Sequence, residues 1–259
     1  MLIYLTYGIV FAIGLCIGSF LNVCIYRIPA GKSIVFPGSA CPNCNQFIRF
    51  YDNIPIISFL LLKGKCRFCK NRISFRYPAI ELLTGVSSLL LFLKFGISIE
   101  WVIYFAFTAT LITISFIDID HQIIPDVISL PGILLCVAAS FALPNITFIE
   151  SITGLIAGGG SLYMVALIYY FLRKNEGMGG GDIKLLAMIG ALIGWQGVLF
   201  TIFISSAAGT IGGVIIMILT RNNNSKLRIP FGPYLSAAAI LYIAYGHQII
   251  KWYINFITS

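Results

Sequence analysis

The chain has 259 residues, 59% of them hydrophobic and 10% charged, with a formal net charge of +8. A mean hydropathy of +0.95 excludes an ordinary soluble globular domain and indicates an all-α polytopic membrane protein. The basic excess gives little support to a nucleic-acid partner, which would also want a basic groove with interleaved stacking aromatics.

The first apolar stretch covers about 2–26 and is long enough to span a bilayer as a helix, for which roughly 17–25 residues are needed. It lacks a basic amino-terminal region and a small-residue cleavage site, so it reads as an anchor and not as a removable signal peptide. The next segment, 27–78, is a loop of different chemistry. Between Arg27 and Arg76 it holds nine basic residues and a single acid, Asp52, a net +8 equal to that of the whole chain. Positive charge is retained on the cytosolic side of membrane proteins, so this loop is expected in the cytosol.

The loop also carries Cys41-Pro-Asn-Cys44 and, twenty-one residues later, Cys66-Arg-Phe-Cys69. Two CxxC knuckles at that separation suit four thiolates around a tetrahedral zinc. Two disulfides are the competing arrangement, but they belong to an oxidising compartment. A segment of this size holds little core of its own, so a metal serves as its staple. With four protein ligands the site has no open position, which makes its zinc structural. Cys16, Cys24 and Cys136 lie in or at the ends of apolar stretches and read as small packing residues.

Further spans are expected at about 79–97, 101–118, 127–143, 150–172, 183–196, 198–219 and 233–254, the sixth of the eight being short. Spans of this length are helices, because lipid offers no partner to an open sheet edge. The expected organisation is a first membrane helix at 1–26, a cytosolic four-cysteine zinc loop at 27–78 and a membrane core at 79–259. With the loop inside, alternation puts Arg173, Lys174, Lys184, Arg221, Lys226 and Arg228 inside as well and only Lys94 and Lys251 outside. Both termini then lie outside the cytosol.

Two acids stand out in this frame. Asp118 ends the third span in FIDIDHQIIPD, and Asp182 opens the sixth in GMGGGDIKLLAMIG. A carboxylate at the edge of the hydrocarbon layer carries a desolvation cost and is usually retained for pairing, transport or chemistry. The fourth and fifth spans go out and return, so both acids reach one membrane face, where the third and sixth helices can pack side by side. Two converging carboxylates suggest an aspartyl hydrolase, one ionised to deprotonate water and one protonated to polarise a carbonyl. The glycines at 177, 179, 180 and 181 permit backbone conformations closed to other residues and a close approach to a substrate strand. A helix cap or a solvated helix end explains a single such aspartate equally well, and the residues alone do not choose between Asp118 and Asp120. Pro125 and Asp126 read as a helix start. His121 has no nucleophilic Ser or Cys beside it and reads as an interfacial or supporting residue. Glu176, Asp120 and Asp126 are placed to attract a basic peptide, although solvated charges near helix ends explain them too.

The order GSFLNVCIYRIP, CPNC, NIPIISFL, KGKCRFC, RYPAIELLTG, FIDIDHQIIPD, EGMGGGDIKLLAMIGALIGW and IPFGPYL resembles the bacterial type IV prepilin peptidases over nearly the whole chain. These are multi-pass inner-membrane enzymes that cut the short basic leaders of type IV prepilins and type II secretion pseudopilins after a glycine on the cytosolic side. They then methylate the new amino terminus, typically Phe, using S-adenosylmethionine. The resemblance implies that the catalytic pair is Asp118 and Asp182, with Gly179 and Gly181 supporting the catalytic loop as the family's GxGD. It also assigns Gly64 and Lys65 to methylation, and the zinc loop favours the bifunctional type over relatives that only cleave. Read from the residues, Gly64-Lys65 is equally well a turn leading into the knuckle, and no glycine-rich βαβ signature announces a nucleotide site. A transporter would account for polar groups such as Asn22 and Asp182, but no inverted repeat is evident and the acids gather at one face instead of the midplane. A zinc-loop scaffold for a secretion partner would leave the paired aspartates without a purpose.

Overall fold

The computed structural model describes residues 2–174, 179–220 and 230–258, so Glu176, Gly177, Arg221, Lys226 and Arg228 lie outside the described residues. Helices α1 (Leu2–Arg27), α2 (Ile57–Leu61), α3 (Arg76–Phe95), α4 (Ile99–His121), α5 (Asp126–Ala139), α6 (Phe148–Arg173), α7 (Gly180–Thr220) and α8 (Gly232–Thr258) follow in chain order, with a 3-10 turn at Phe50–Asn53. No strand occurs among the described residues. Among the described residues five helices (α1, α3, α4, α6 and α7) are long and apolar enough to cross a membrane by length and composition, while α5, with 14 residues, is shorter. Large apolar side chains such as Leu134, Phe203 and Ile218 are at least 70% exposed, which suits a surface facing lipid chains.

The expected sixth and seventh spans meet without a loop. They form the two arms of α7, bent at Gly194, where φ 73 and ψ 175 interrupt the helical run. Only glycine adopts that backbone without strain, so the break falls at 194 and not at 197, the division between the two expected spans.

The chain divides into two compact units, Met1–Thr113 and Ile114–Ser259, and α4 runs from the first into the second. In the first unit α1 and α3 approach closely along small residues. A Cβ added at Gly14 would lie 2.7 Å from the Cα of Gly85, and one at Gly18 would lie 2.7 Å from the Cα of Glu81. Lipid chains are as apolar as leucine, so membrane helices associate through such close packing and through polar ties. Here the ties are the Ser88 hydroxyl to the Val10 carbonyl at 3.2 Å and the Asn22 amide to the carbonyls of Gly18 and Tyr77, each at 3.2 Å. Asn22 is therefore engaged in holding α1 to α3.

The second unit is built around α7. Gly154 and Gly158 of α6 press on the α7 backbone at Gly190, Gly194 and Leu186, and the Ser151 hydroxyl donates to the Ala191 carbonyl at 2.6 Å. Leu185, Leu186, Met188, Ile189 and Leu235 are fully buried. A Thr147/Glu150 capping box starts α6, satisfying amide groups that the helix itself cannot. The first turns of α7 are thus held on two sides, by α6 and by α5, whose Asp126 carboxylate takes the Lys184 ammonium at 2.6 Å.

Candidate active site and metal centre

Asp118 lies in the last turn of α4 and is only 5% exposed, whereas Asp120, two residues on, is exposed. Two positions along a helix is about 200° of rotation, so these acids face opposite ways and the burial separates them. One Asp118 oxygen, Oδ2, accepts the backbone N–H of Gly232 at 2.9 Å. That amide begins α8 and has no partner within its own helix, so the carboxylate caps α8 and meets the positive end of its dipole. Any side chain at 232 would intrude, because an added Cβ would sit 2.7 Å from Asp118 Oδ2.

Asp182 occupies the first turn of α7, with its N–H donated to the Gly179 carbonyl at 3.2 Å. It too lies at a helix amino terminus, half-buried, and near enough to Asp118 for the two charges to act on each other. Both carboxyls belong to the same unit. Gly179, Gly180 and Gly181 show no left-handed φ. The constraint at Gly181 is space, since an added Cβ would lie 2.8 Å from the Cβ of Ile124. That contact seats the start of α7 against the loop that follows Asp118. His121 is exposed.

The role of Gly232 is not evident from the residues. Its signal is the P-F-G-P run of 230–233, in which proline suits a helix start and the intervening glycine leaves room for a neighbour. Lys184, read from sequence only as a topological charge, proves to be the tie between α5 and α7.

In the first unit, Cys41, Cys44, Cys66 and Cys69 bring their sulfurs within 4.8 Å of one another, and Cys41 and Cys69 stand 3.9 Å apart. A tetrahedral ion with Zn–S bonds of about 2.3 Å needs sulfurs roughly 3.8 Å apart, so the donor set fits. All seven cysteines are free thiols. The two knuckles repeat one geometry: the N–H of Asn45 to the Cys41 carbonyl and that of Lys70 to the Cys66 carbonyl, with Asn45 and Lys70 both left-handed at φ 55 and φ 60. Backbone N–H groups of Cys69 and Phe68 point at the Cys66 sulfur and, helped by the thiols of Cys41 and Cys69, lower its pKa to about 7. At Cys44 the pull of the Gln46 backbone is outweighed by desolvation and by the three neighbouring thiols, and its pKa is raised to about 11. Four thiols crowded together cannot all ionise without a cation, and a bound divalent metal would remove that conflict.

The knuckles are tied to the preceding turn by Arg67, which grips Asp52 with two hydrogen bonds of 2.7 and 2.6 Å. This pairing holds the Asp52 carboxyl below the usual carboxylate range. Gly64 is left-handed at φ 66, receives the Ile73 N–H at 2.8 Å and donates its own to Phe59 at 2.8 Å. It therefore makes the turn into the second knuckle, and the Lys65 side chain beside it is exposed.

Residues 12–95 match the Bacterial Peptidase A24 N-terminal domain and residues 105–214 match the Type IV leader peptidase family. The chain is 39% identical to a prepilin leader peptidase/N-methyltransferase of Pseudomonas aeruginosa, over 94% of this chain and 92% of the relative. Proteins of the same description from Stutzerimonas stutzeri and Neisseria gonorrhoeae are 37% and 33% identical, each over 94% of this chain and over 92% and 93% of the relative. No solved structure matches. With both of its halves matched and its relatives aligned almost end to end, the chain belongs to the type IV leader peptidase family.

Proposed function

We propose that the protein is a bacterial inner-membrane peptidase that removes the basic leader of type IV prepilins or type II secretion pseudopilins and then N-methylates the new amino terminus. The observation that supports the reading is that the buried Asp118, anchored by the Gly232 amide, and Asp182 at the start of α7 lie in one unit and act on each other electrostatically. Two carboxyls held close favour a single shared proton. The ionised one takes a proton from water as it attacks the scissile carbonyl, and the protonated one donates to the carbonyl oxygen. On this reading eight segments span the membrane: α1, α3, α4, α5, α6, the two arms of α7 about Gly194, and α8. The loop at 27–78 lies in the cytosol, the peptidase core occupies 79–259, and both aspartates open to the cytosolic face. A prepilin, whose apolar helix follows a charged leader, presents its scissile bond at that interface. Zinc held by Cys41, Cys44, Cys66 and Cys69 would staple the loop. The methyl group comes from S-adenosylmethionine.

Incubating purified protein with a full-length prepilin in lipid, and following the leader by electrophoresis, tests the reading directly. An uncut substrate would refute it. Gly232→Ala is expected to slow cleavage about tenfold or more, the consequence of disturbing one charge-assisted hydrogen bond worth roughly 1.5–3 kcal/mol, and to lower thermal stability as well, because the same bond caps α8. A rate equal to that of the unmutated chain would remove Gly232 from the machinery.

Lys65→Ala separates the two activities. Its side chain is exposed and lies in the other unit from the aspartates, so leader release should proceed at the normal rate while the mature pilin is under-methylated. Mass spectrometry of the pilin amino terminus decides it, and full methylation would take Lys65 out of the site. Absent methylation by the unmutated chain supplied with S-adenosylmethionine would leave a peptidase only.

A further inference from the structure

A cavity of about 340 Å³ opens in the first unit at the Arg27 end of α1. Helix α1 lines it with Ser19, Phe20, Val23 and Arg27, and the loop closes it with Ser39 and Asn53 among others. The aspartate pair uses none of these residues, and neither does the four-cysteine cluster.

The cavity has a chemically distinct group at each end. Arg27 braces the loop through the carbonyls of Ser33, Pro37 and Gly38 at 3.0, 2.7 and 3.3 Å. These bonds leave part of its five-donor guanidinium for an incoming carboxylate. Eight residues back, about 12 Å along the helix, the Ser19 hydroxyl is hydrogen-bonded to Glu81, a carboxylic side chain only 8% exposed. Glu81 also receives the Ile56 N–H at 2.8 Å, and Ile56 is held at φ 59. That is an outlying conformation for a β-branched residue and persists only where the surroundings enforce it. Asn53 and Pro55, just before it, are part of the cavity wall. The side chain of Phe20, 48% exposed, offers an apolar ring face between the two ends.

We propose that this cavity binds the methyl donor. The inference rests on the methyl-transfer reading above. A donor of this class combines an amino-acid carboxylate and ammonium, a sulfonium and a purine nucleoside. Its carboxylate suits Arg27, its cationic groups suit the Ser19 end backed by Glu81, and its purine suits the Phe20 ring. The volume falls in the range of small-molecule sites, roughly 300–1,000 Å³. Ser19 and Arg27 are the direct contacts, and Glu81 positions Ser19 and the strained turn at Ile56.

Calorimetric titration of the full chain in lipid nanodiscs with S-adenosylhomocysteine, the demethylated product, reads the site without turnover. The unmutated chain and Val23→Ala should bind one molecule per chain. Val23→Phe, which fills the cavity, should bind at least tenfold more weakly while keeping its zinc and its rate of leader cleavage. Ultraviolet cross-linking of methyl-tritiated donor to the unmutated chain needs no variant and should label peptides within 16–39 or 53–55. Undiminished binding by Val23→Phe, or label confined to 114–259, while the unmutated chain methylates pilin, overturns the cavity and leaves the function standing. Neither binding nor methylation by the unmutated chain overturns both.

Discussion

Asp118→Asn and Asp182→Asn are each expected to reduce leader cleavage about a thousandfold or more, the scale of a lost general acid or base, in a protein that remains folded and inserted. Asparagine keeps the shape of the side chain, and at position 118 its carbonyl still accepts the Gly232 N–H, so α8 keeps its cap. It cannot deprotonate water or carry the shared proton. Asp120→Asn is the matched control: its side chain is exposed and turned away from Asp118, so its effect should be within a few-fold. Cleavage assays on the three purified variants, with circular dichroism to confirm helix content, check this. Full activity in either of the first two would sink the two-carboxylate mechanism, and an equal loss in the third would mean that the wrong acid of the first cluster has been assigned.

Removing the metal should be the next largest effect. The purified chain is expected to contain about one zinc, the stoichiometry of a four-thiolate site, and Cys44→Ser or a strong chelator should remove it. Structural zinc sites contribute apparent binding free energies of about 10–16 kcal/mol, and the loop has little core to replace that, so limited proteolysis should cut it first once the metal is gone. The Arg67–Asp52 grip will not hold the knuckles together alone, because a partly exposed ion pair contributes little. Zinc uptake should weaken as pH falls, and more steeply below about 7, where Cys66 gains its proton in addition to Cys44, since metal and proton compete for each sulfur. Methylation should fall with the metal, while leader cleavage, assigned to the other unit, should persist to a measurable degree. Elemental analysis that finds no metal, with the cysteines oxidised in pairs, would overturn both the site and its cytosolic placement.

Features that repeat along the chain or lie within a few residues of one another are legible in the amino-acid order alone. Hydropathy over about 20 residues is enough to locate α1, α3, α4 and α6 to within a few positions, because a membrane helix satisfies its own backbone and needs no partner to be recognised. The CxxC pairs are local signals of the same kind, and the cluster of Cys41, Cys44, Cys66 and Cys69 follows from their spacing. Tertiary structure decided the rest. Asp118 and Asp120 have the same chemistry and nearly the same position in sequence, and only the packing of the second unit buries the first and leaves the second exposed. The Gly232 amide reaches Asp118 from 114 residues away, a distance that no local pattern encodes. The closeness demanded of Gly181 depends on Ile124, since a glycine's need for space is set by what lies opposite it. The cavity beside Arg27 belongs with these: its walls come from α1 and from loop residues that are separated in the chain and meet only when the first unit folds.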